Sequence, residues 1–362
     1  MAEKKKGIGK VLFGLTARTF MLMNAGVLVL SYLSMYVNPA KAWFMTIFGL
    51  LFILFFTVNL LLLIWAIKRR SGAVVIPLLA LLPSVFLIGR YVQFSGRDEV
   101  SDDAVTIVDY NVGKFVMYPS HSRLADSDAC ADSVFAFLRR TGADIICLQE
   151  FHSPKGVEVK DFISGYMPGY EIEYFTHING HGAYGNVILS RFPVVDRGKF
   201  DFEESSNMAV YADLDLGNEV LRVYDCHFES YSVSVPRLVK AITNREDGKV
   251  HEAEEKMRSS ITRRPEQVDR VLEDIRNSPV ESIVTGDFND TPMSYTYQQL
   301  KHGKKDSFIE AGKGMGGTYS GLWPFIRIDY VLAPEKCDVL YHKVERKRFS
   351  DHYPIVTRLK IN

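Results

Sequence analysis

Residues 283–292 read Ile-Val-Thr-Gly-Asp-Phe-Asn-Asp-Thr-Pro, an apolar run that ends at a glycine and is followed by carboxylates and a carboxamide. The run from Ile283 to Thr285 is too short for a helix and is β-branched, which favours a buried strand, whereas the residues after it are typical of a turn. Asp287 and Asn289 therefore lie at a strand end, on the same side of the chain. Such a pair either builds a structural turn or presents chemistry.

Two earlier apolar strands also end in a polar residue. The predicted strand 105–112 carries Asn111 near its end, and the predicted strand 144–150 ends at Glu150. A single polar residue at such a place is usually a solvent-exposed group. Its repetition at successive strand ends favours a shared site instead.

The second half of the sequence continues this arrangement. One predicted strand ends near a histidine, another holds an aspartate that faces away from its apolar neighbours, and an Asp-His pair precedes the last strand; these residues are His227, Asp329, Asp351 and His352. A lone histidine at a strand end is more often structural than catalytic. The set as a whole favours a site at one edge of a sheet.

Two helical segments are predicted between the strands. The segment from Asp126 to Arg140 has apolar residues at the i, i+3, i+4 and i+7 spacing of a helix and stops at Gly142. The segment from Ser230 to Ser278 is highly charged and is most simply a solvated helical face. Its functional alternative is a basic, amphipathic lip over the site that meets anionic head groups or phosphates.

The N-terminal part of the sequence predicts a membrane segment. With 362 residues and 47% hydrophobic side chains, the chain is long enough for one large domain and an additional segment. Thr19–Val37, Ala42–Ile67 and Ala73–Gly89 contain no charged side chain, and each is long enough, or nearly so, to cross a hydrocarbon core of about 30 Å. We therefore expect three transmembrane helices. A cleaved signal peptide would be a single shorter run.

These runs predict the domain organisation of the chain. It would comprise a basic cytoplasmic N-terminus (1–18), a three-helix transmembrane segment (19–92), a linker (93–104) and a catalytic domain (105–362). Cations concentrate before the first run and between the second and third, whereas Lys41 stands alone in the first loop. The positive-inside rule then places the catalytic domain opposite the cytoplasm.

In a bacterial cell this predicts a multi-pass protein of the inner membrane whose catalytic domain faces the periplasm or the exterior. If the third run were re-entrant or interfacial, the same domain would lie in the cytoplasm.

Charge and cysteine content exclude some classes of function. The chain has 43 Lys and Arg against 43 Asp and Glu, so it shows no overall electrostatic footprint for nucleic acid. The four cysteines, Cys130, Cys147, Cys226 and Cys337, lack metal-site spacing. Two of them fall in strand-like runs, where a small buried hydrophobe is the expected role.

The strand ends supply acidic oxygens, carboxamides and two histidines. No nucleophilic serine motif, Walker-type glycine loop or zinc spacing accompanies them. Hard oxygen ligands favour Mg²⁺ or Mn²⁺ over zinc. A divalent ion beside hydrogen-bond donors suits the hydrolysis of a phosphoester by water.

The ordered motifs DYNV, CLQE, YDCHFES, GDFNDTP, RIDYVL and SDHYPIV resemble the endonuclease/exonuclease/phosphatase superfamily. The resemblance covers about Val105 to Ile361. It implies an α/β fold, a four-layer α/β sandwich of two packed β-sheets flanked by helices, preceded here by the three transmembrane helices.

The resemblance also implies roles for the site residues. Glu150 would bind Mg²⁺ or Mn²⁺ with Asn111 beside it, and Asp351 would reach this metal or a second one. Asp287 would act as general base, and Asn289 would orient the attacking water. His352 would contact the scissile phosphate and be oriented by Asp329. His227 would stabilise the transition state or assist the leaving oxygen.

Three functions remain open at this stage. The first is a membrane-anchored phosphoesterase for a phospholipid-like or other small phosphoester, the second a surface nuclease for DNA or RNA, and the third a catalytically silent, membrane-tethered binding module. Apurinic endonucleases carry an acidic residue where this chain has Gly113, which disfavours a DNA-repair role. The expected partners are the substrate and the membrane, and no protein partner is predicted.

Overall fold

The computed structural model describes residues 2–115, 127–180, 182–231, 233, 235–322 and 324–362. The chain divides into two compact units. One comprises residues 1–89 with 293–295, and the other comprises residues 90–292 with 296–362.

The first unit is helical. Polar contacts join its helices: Tyr32 Oη donates to the carbonyl of Ala80 over 2.8 Å, and Asn59 Nδ2 donates to the carbonyl of Asn24 over 3.0 Å. Both contacts link segments far apart in sequence, so the apolar helices pack against one another. These helices are α1 (Ala2–Leu33), α2 (Met45–Leu50), α3 (Phe52–Lys68), α4 (Val75–Leu81) and α5 (Ser84–Leu87).

Two segments, Phe13–Leu33 and Gly72–Arg90, are long and apolar enough to cross a membrane, judged by length and composition alone. The prediction of three such helices is wrong, because the second apolar run breaks at Leu51 into α2 and α3. α3 has 17 residues. It rises about 25 Å at 1.5 Å per residue, less than the hydrocarbon core of about 30 Å.

The second unit is built on β-strands. Their bounds are β1 (Val92–Gln93), β2 (Ala104–Asn111), β3 (Ile145–Pro154), β4 (Glu171–Asn179), β5 (Gly182–Ser190), β6 (Val194–Asp201), β7 (Met208–Asp215), β8 (Val220–His227), β9 (Glu281–Asp287), β10 (Lys304–Asp306), β11 (Gly314–Met315), β12 (Asp329–Pro334), β13 (Asp338–Val344) and β14 (Ile355–Lys360). They form a six-stranded sheet of order β13-β14-β2-β3-β5-β4, another of order β10-β12-β9-β8-β7-β6, and a small β1-β11 pair.

The remaining helices are α6 (Ser127–Thr141), α7 (Val159–Tyr166), α8 (Val235–Thr243), α9 (Asp247–Asn277), α10 (Tyr295–Lys301) and α11 (Ser307–Ala311). α6 corresponds to the predicted helix from Asp126 to Arg140. Asp126, the first residue of the predicted helix, lies outside the described residues.

Successive side chains along each strand point to opposite faces of its sheet and pack into separate layers. In β2, Val105 and Ile107 pack between the sheets in one cluster with Ile283 of β9. Val108 and Tyr110 point the other way, into a second cluster that includes residues of α6 and α7. Because strand side chains alternate between faces, each six-stranded sheet buries both of its faces.

The other sheet repeats this pattern. Tyr224 of β8 and Val284 of β9 face outward and pack with Val268 of α9 and Leu300 of α10. The order of layers is therefore helix, sheet, sheet, helix, which confirms the predicted four-layer α/β sandwich. All four cysteines are buried and unpaired.

A parallel pair of strands lies inside each sheet. β2 runs parallel to β3, with Asn111 opposite Gln149, and β8 runs parallel to β9, with His227 opposite Asp287. Parallel strands present their carboxyl ends at the same edge of a sheet. The two sheets thus deliver the polar strand ends of the sequence to one end of the sandwich.

Candidate active site

The predicted site residues continue the inward-facing series of the strands. In β9 this series runs Ile283, Thr285, Asp287, and in β8 it includes Asp225 and His227. Ile283 is part of the apolar cluster between the sheets. The space between the sheets therefore changes from apolar to polar within two steps of the pleat.

A polar layer lies directly beneath the site. Gln149 Nε2 donates to Asp109 Oδ1 over 2.8 Å and to Asp225 Oδ1 over 2.6 Å, and so joins the two sheets. Burial raises the pKa of Asp225 to about 8 and raises that of Asp109 well above its ordinary value, with Asp329 and Asp225 adding to the latter rise. This layer was not predicted from the sequence. Its signal was the presence of acid and amide side chains at inward positions of buried strands.

Asp287 is the centre of the site and is 1% exposed. Its Oδ1 accepts from the Asn289 backbone N–H over 2.8 Å, and its Oδ2 accepts from Asn111 Nδ2 over 3.0 Å and from Asn289 Nδ2 over 3.3 Å. Burial raises the pKa of Asp287 to about 6, while His352 and His227 oppose the rise and Asp329 adds to it. The carboxylate is thus fixed in orientation by carboxamides from both sheets.

Two histidines face the same carboxylate oxygen. His352 Nε2 lies 3.7 Å and His227 Nε2 lies 3.8 Å from Asp287 Oδ2. The other ring nitrogen of His352, Nδ1, lies 2.9 Å from Asp329 Oδ1. Burial alone would lower the pKa of His352, but Asp329 and Asp287 outweigh it and hold the pKa well above its ordinary value.

Glu150 reaches the site through a break in the alternation. Register shifts between Leu148 and Phe151 of β3, and Glu150 has a φ of 50°. A bulge of this kind re-aims a side chain, and positive φ in a non-glycine residue is strained. As a result Glu150 Oε1 lies 3.5 Å from Asn111 Nδ2 and 3.9 Å from His227 Nε2, with 28% of the side chain exposed.

Ser350 connects the Asp-His pair before the last strand to the rest of the site. Its Oγ donates to the carbonyl of Asn111 over 2.8 Å and accepts from the backbone N–H of His352 over 2.9 Å. Asp351 Oδ1 lies 3.4 Å from the same hydroxyl. The structure therefore brings Asp351 to the rim of the site beside Asn111.

The donor set can hold a metal ion. Ligand atoms of Asp287, Asp329 and His352 lie within 4.8 Å of one another. Asn111 turns its donor Nδ2 toward the carboxylates, because its Oδ1 accepts from the Gly113 backbone N–H over 3.0 Å. The predicted metal set of Glu150, Asn111 and Asp351 stays a prediction. Glu150 suits it best, as a partly exposed hard oxygen donor without a Lys or Arg ion-pair partner among the described residues.

A charged residue from α9 supports the same edge. Arg264 falls in the charged stretch that was expected to form a solvated face, yet it is 1% exposed. It binds the carbonyl of Glu229 and the carboxylate of Asp290, two residues that follow site residues. Neither spacing nor composition distinguishes this arginine from its exposed neighbours.

The profile of the Endonuclease/Exonuclease/phosphatase family matches residues 110–352, more than half of the chain. The chain belongs to this family. Members of the endonuclease/exonuclease/phosphatase family hydrolyse phosphoesters, which fits a buried carboxylate flanked by histidines and carboxamides. A second profile, of a domain of unknown function, matches residues 10–91.

Solved structures share the fold of the second unit, residues 90–292 with 296–362, which we call the catalytic unit. A family protein from Beutenbergia cavernae is 18% identical, with 72% of each chain covered and a TM-score of 0.53. A family protein from Bacteroides thetaiotaomicron is 17% identical, with 72% of this chain and 98% of that chain covered and a TM-score of 0.53. A mannosyl-6-phosphatase from the same organism is 18% identical, with 70% and 99% covered and a TM-score of 0.50. A search of curated proteins gave no match.

Proposed function

We propose that this protein is a membrane-anchored, divalent-metal-dependent phosphoesterase that hydrolyses a lipid-like phosphodiester or another small phosphoester. The observation that carries the proposal is the buried Asp287 carboxylate, which faces His352 Nε2 at 3.7 Å and His227 Nε2 at 3.8 Å. Polar groups separated by more than about 3.5 Å leave room for a bridging oxygen. Such a gap suits an attacking water or a phosphoryl oxygen.

Asp287 is the proposed general base. Two carboxamides and a backbone N–H hold its oxygens, so its free lone pairs point in a fixed direction. Asn289 Nδ2 also donates to the Phe228 carbonyl over 3.0 Å, which positions this amide beside the base. Asn289 would orient the water whose proton Asp287 accepts.

The two histidines are the proposed phosphate-side donors. Asp329 accepts a hydrogen bond from His352 Nδ1, so Nε2 of the imidazolium points into the site as a donor. His227, 3% exposed, approaches from the neighbouring strand. Together they would stabilise charge that develops on the phosphoryl oxygens and on the leaving oxygen.

Glu150 and Asp351, with Asn111 beside them, would hold the divalent metal on the exposed side of Asp287. Mg²⁺ or Mn²⁺ would neutralise phosphoryl charge there. Glu150 is the member of this set whose removal should abolish metal binding, because the bulge in β3 serves to turn this carboxylate toward the site.

The apolar helices would anchor the enzyme in a membrane. We propose that Phe13–Leu33 and Gly72–Arg90 are the two crossings. Because cations concentrate before the first of them, the N-terminus would lie in the cytoplasm, and two crossings would return the catalytic unit to that side instead of the exterior that three crossings predict. Labelling of single cysteines introduced at Lys41 and at exposed Arg140 by a membrane-impermeant reagent in intact cells tests this. Labelling at Lys41 and protection at Arg140 are expected, and labelling at Arg140 would contradict it.

Hydrolysis by the detergent-solubilised full chain tests the proposed activity. Mixed phospholipid and sphingolipid micelles, a hexose 6-phosphate and plasmid DNA would each be offered with Mg²⁺ or with EDTA. Asp287→Asn is the inactive variant, and Asp269→Asn, an exposed change on α9, is the matched control. We expect lipid or small-phosphoester turnover that requires Mg²⁺ and falls about 10²- to 10⁴-fold in Asp287→Asn.

Turnover of DNA alone would replace the proposal with a tethered nuclease. Full activity in Asp287→Asn would overturn the assignment of the base. An inert parent that binds Mg²⁺ would favour a silent binding module.

A further inference from the structure

A cleft of about 740 Å³ lies in the catalytic unit, apart from the candidate active site, and contains none of the proposed catalytic residues. It is the right size for a small ligand or head group. Three segments form its walls: the linker 96–98, residues 311–315 after α11, and residues 341–347 at the end of β13.

The lining of this cleft is basic. Its cations are Arg97, Lys313, Lys343, Arg346 and Lys347, and its carboxylates are Asp98 and Glu345. Both carboxylates are engaged, Asp98 by Arg358 and Glu345 by Lys343. The chain as a whole has zero net charge, so this local excess of cations is not a consequence of composition.

Three of the cations are exposed and are available to a ligand. Arg97, Lys313 and Lys347 take part in no ion pair within the ranges that the structure describes. They come from three segments distant in sequence. Their convergence therefore depends on the fold.

Backbone contacts hold the walls together. The Arg97 N–H donates to the carbonyl of Ala311 over 3.1 Å, and the Glu99 N–H donates to the carbonyl of Leu340 over 3.0 Å. Gly96 packs so closely that a Cβ there would lie 2.8 Å from Lys313 Cβ. The linker is thus clamped between the other two walls, and the cations are held in a built site.

The floor of the cleft is uncharged. His342 is 6% exposed, and its Nδ1 lies 2.8 Å from Ser307 Oγ. Burial lowers the pKa of His342 to about 3, so the imidazole is neutral at physiological pH. The positive charge therefore belongs to the rim, where it remains accessible.

The cleft begins close in sequence to an apolar helix. Arg90 ends the apolar segment, Val92 and Gln93 pair with β11, and Gly96 enters the cleft wall. Gly96 follows Arg90 by six residues, so the two lie at most about 22 Å apart even along a fully extended chain. Basic residues this near a span in sequence are of the kind that attract anionic headgroups, most strongly within a Debye length of the surface.

We propose that this cleft is a non-catalytic binding site for the phosphate headgroup of an anionic lipid. The proposal rests on the membrane anchoring proposed above and adds a function to it. A bound headgroup would neutralise the three free cations. It would also fix the linker 96–98 at the membrane surface, so the catalytic unit would hold one orientation toward its substrate.

Titration of the detergent-solubilised full chain with short-chain lipids tests the proposal. The background is Asp287→Asn in EDTA, so neither turnover nor a catalytic metal affects the result. Dihexanoylphosphatidylglycerol is expected to raise the unfolding temperature, and dihexanoylphosphatidylcholine, which has no net charge, is expected to leave it unchanged. The response to the anionic lipid should weaken with added salt.

A triple variant identifies the site. Arg97→Gln/Lys313→Gln/Lys347→Gln removes the free cations, and Arg140→Gln/Lys155→Gln/Lys160→Gln removes the same number of exposed cations elsewhere. We expect the apparent Kd for dihexanoylphosphatidylglycerol to rise at least about 10-fold in the cleft triple, since it removes the three cations that would attract the anionic headgroup. The control triple should retain parental affinity.

Equal affinity in the two triples would overturn the proposal. Inorganic phosphate at millimolar concentration is expected not to displace dihexanoylphosphatidylglycerol from the parent. Displacement would also overturn the proposal, because the site would then bind free phosphate. If the cleft triple fails to give the parental near-ultraviolet circular dichroism spectrum, Lys347→Gln alone replaces it, with Lys160→Gln as its control.

Discussion

Arg264 Nη1 lies 2.9 Å from Asp290 Oδ2, and both side chains are 2% exposed. Arg264 Nε and Nη2 donate to the carbonyl of Glu229 over 2.9 and 2.7 Å. Glu229 follows His227 by two residues, and Asp290 follows Asn289 directly. A single guanidinium from α9 therefore ties together the two loops that follow β8 and β9 at the site.

Arg264→Met is expected to destabilise the catalytic unit by about 3–5 kcal/mol, because the buried Asp290 carboxylate keeps the Tyr231 hydroxyl but loses its cationic partner. Arg264→Lys keeps the charge but loses the fork that spans both loops, so it should lower kcat/KM while retaining more stability. Thermal unfolding and steady-state kinetics measure these effects. The control is Arg263→Lys, a half-buried neighbour paired with Glu204. Parental stability in Arg264→Met would contradict this role.

Asp329→Asn is expected to lower kcat by about 10²- to 10⁴-fold with little change in KM, because His352 loses the carboxylate that holds Nδ1 protonated and directs Nε2 into the site. The pH profile of kcat should shift as well, since the pKa of His352 would no longer be held as high. Asp338→Asn, at a largely exposed carboxylate, is the control. An unchanged kcat in Asp329→Asn would remove Asp329 from the mechanism.

Gly286→Ala is expected to prevent stable folding of the catalytic unit. Gly286 has a φ of +126°, and a Cβ there would lie 2.0 Å from the carbonyl oxygen of Cys226 on the paired strand. Backbone cannot yield as a flexible side chain can, so β8 and β9 would separate beside Asp287. Gly248→Ala in α9, where a Cβ meets nothing within 4 Å, should be neutral or stabilising by up to about 1 kcal/mol. Soluble yield and circular dichroism compare the two.

Asp225→Asn is expected to change the pH dependence of stability. Burial raises the pKa of Asp225 from 3.8 to about 8. Between these values the folded chain keeps a proton that the unfolded chain releases, so this group makes stability fall as pH rises, by up to about 1.4 kcal/mol per pH unit.

The Asp225→Asn variant keeps a side-chain oxygen that accepts the hydrogen bond from Gln149 Nε2, and its amide does not titrate. The variant should therefore be more stable than the parent at pH 7.5 and nearly equal to it at pH 4. Urea unfolding at both values measures the difference, with Asp269→Asn as control. Parallel pH profiles for Asp225→Asn and the parent would show that Asp225 is not protonated in the folded state.

The sandwich was predictable from the sequence because alternating and continuous runs of apolar residues indicate which side chains of a strand are buried, and such runs are local. The ordered motifs likewise identify every predicted site residue without reference to contacts. The number of spans was not predictable, since all residues around Leu51 are apolar and hydropathy does not detect a break within an apolar run.

The sequence by itself determined which residues face inward and which end each strand, because side-chain period is a local property of the chain. Only the tertiary structure decided that Glu150 turns into the site at a bulge, that Gln149 joins Asp109 to Asp225, and that Arg264 is buried. These depend on strand register and on packing between segments far apart in sequence, which no local pattern records.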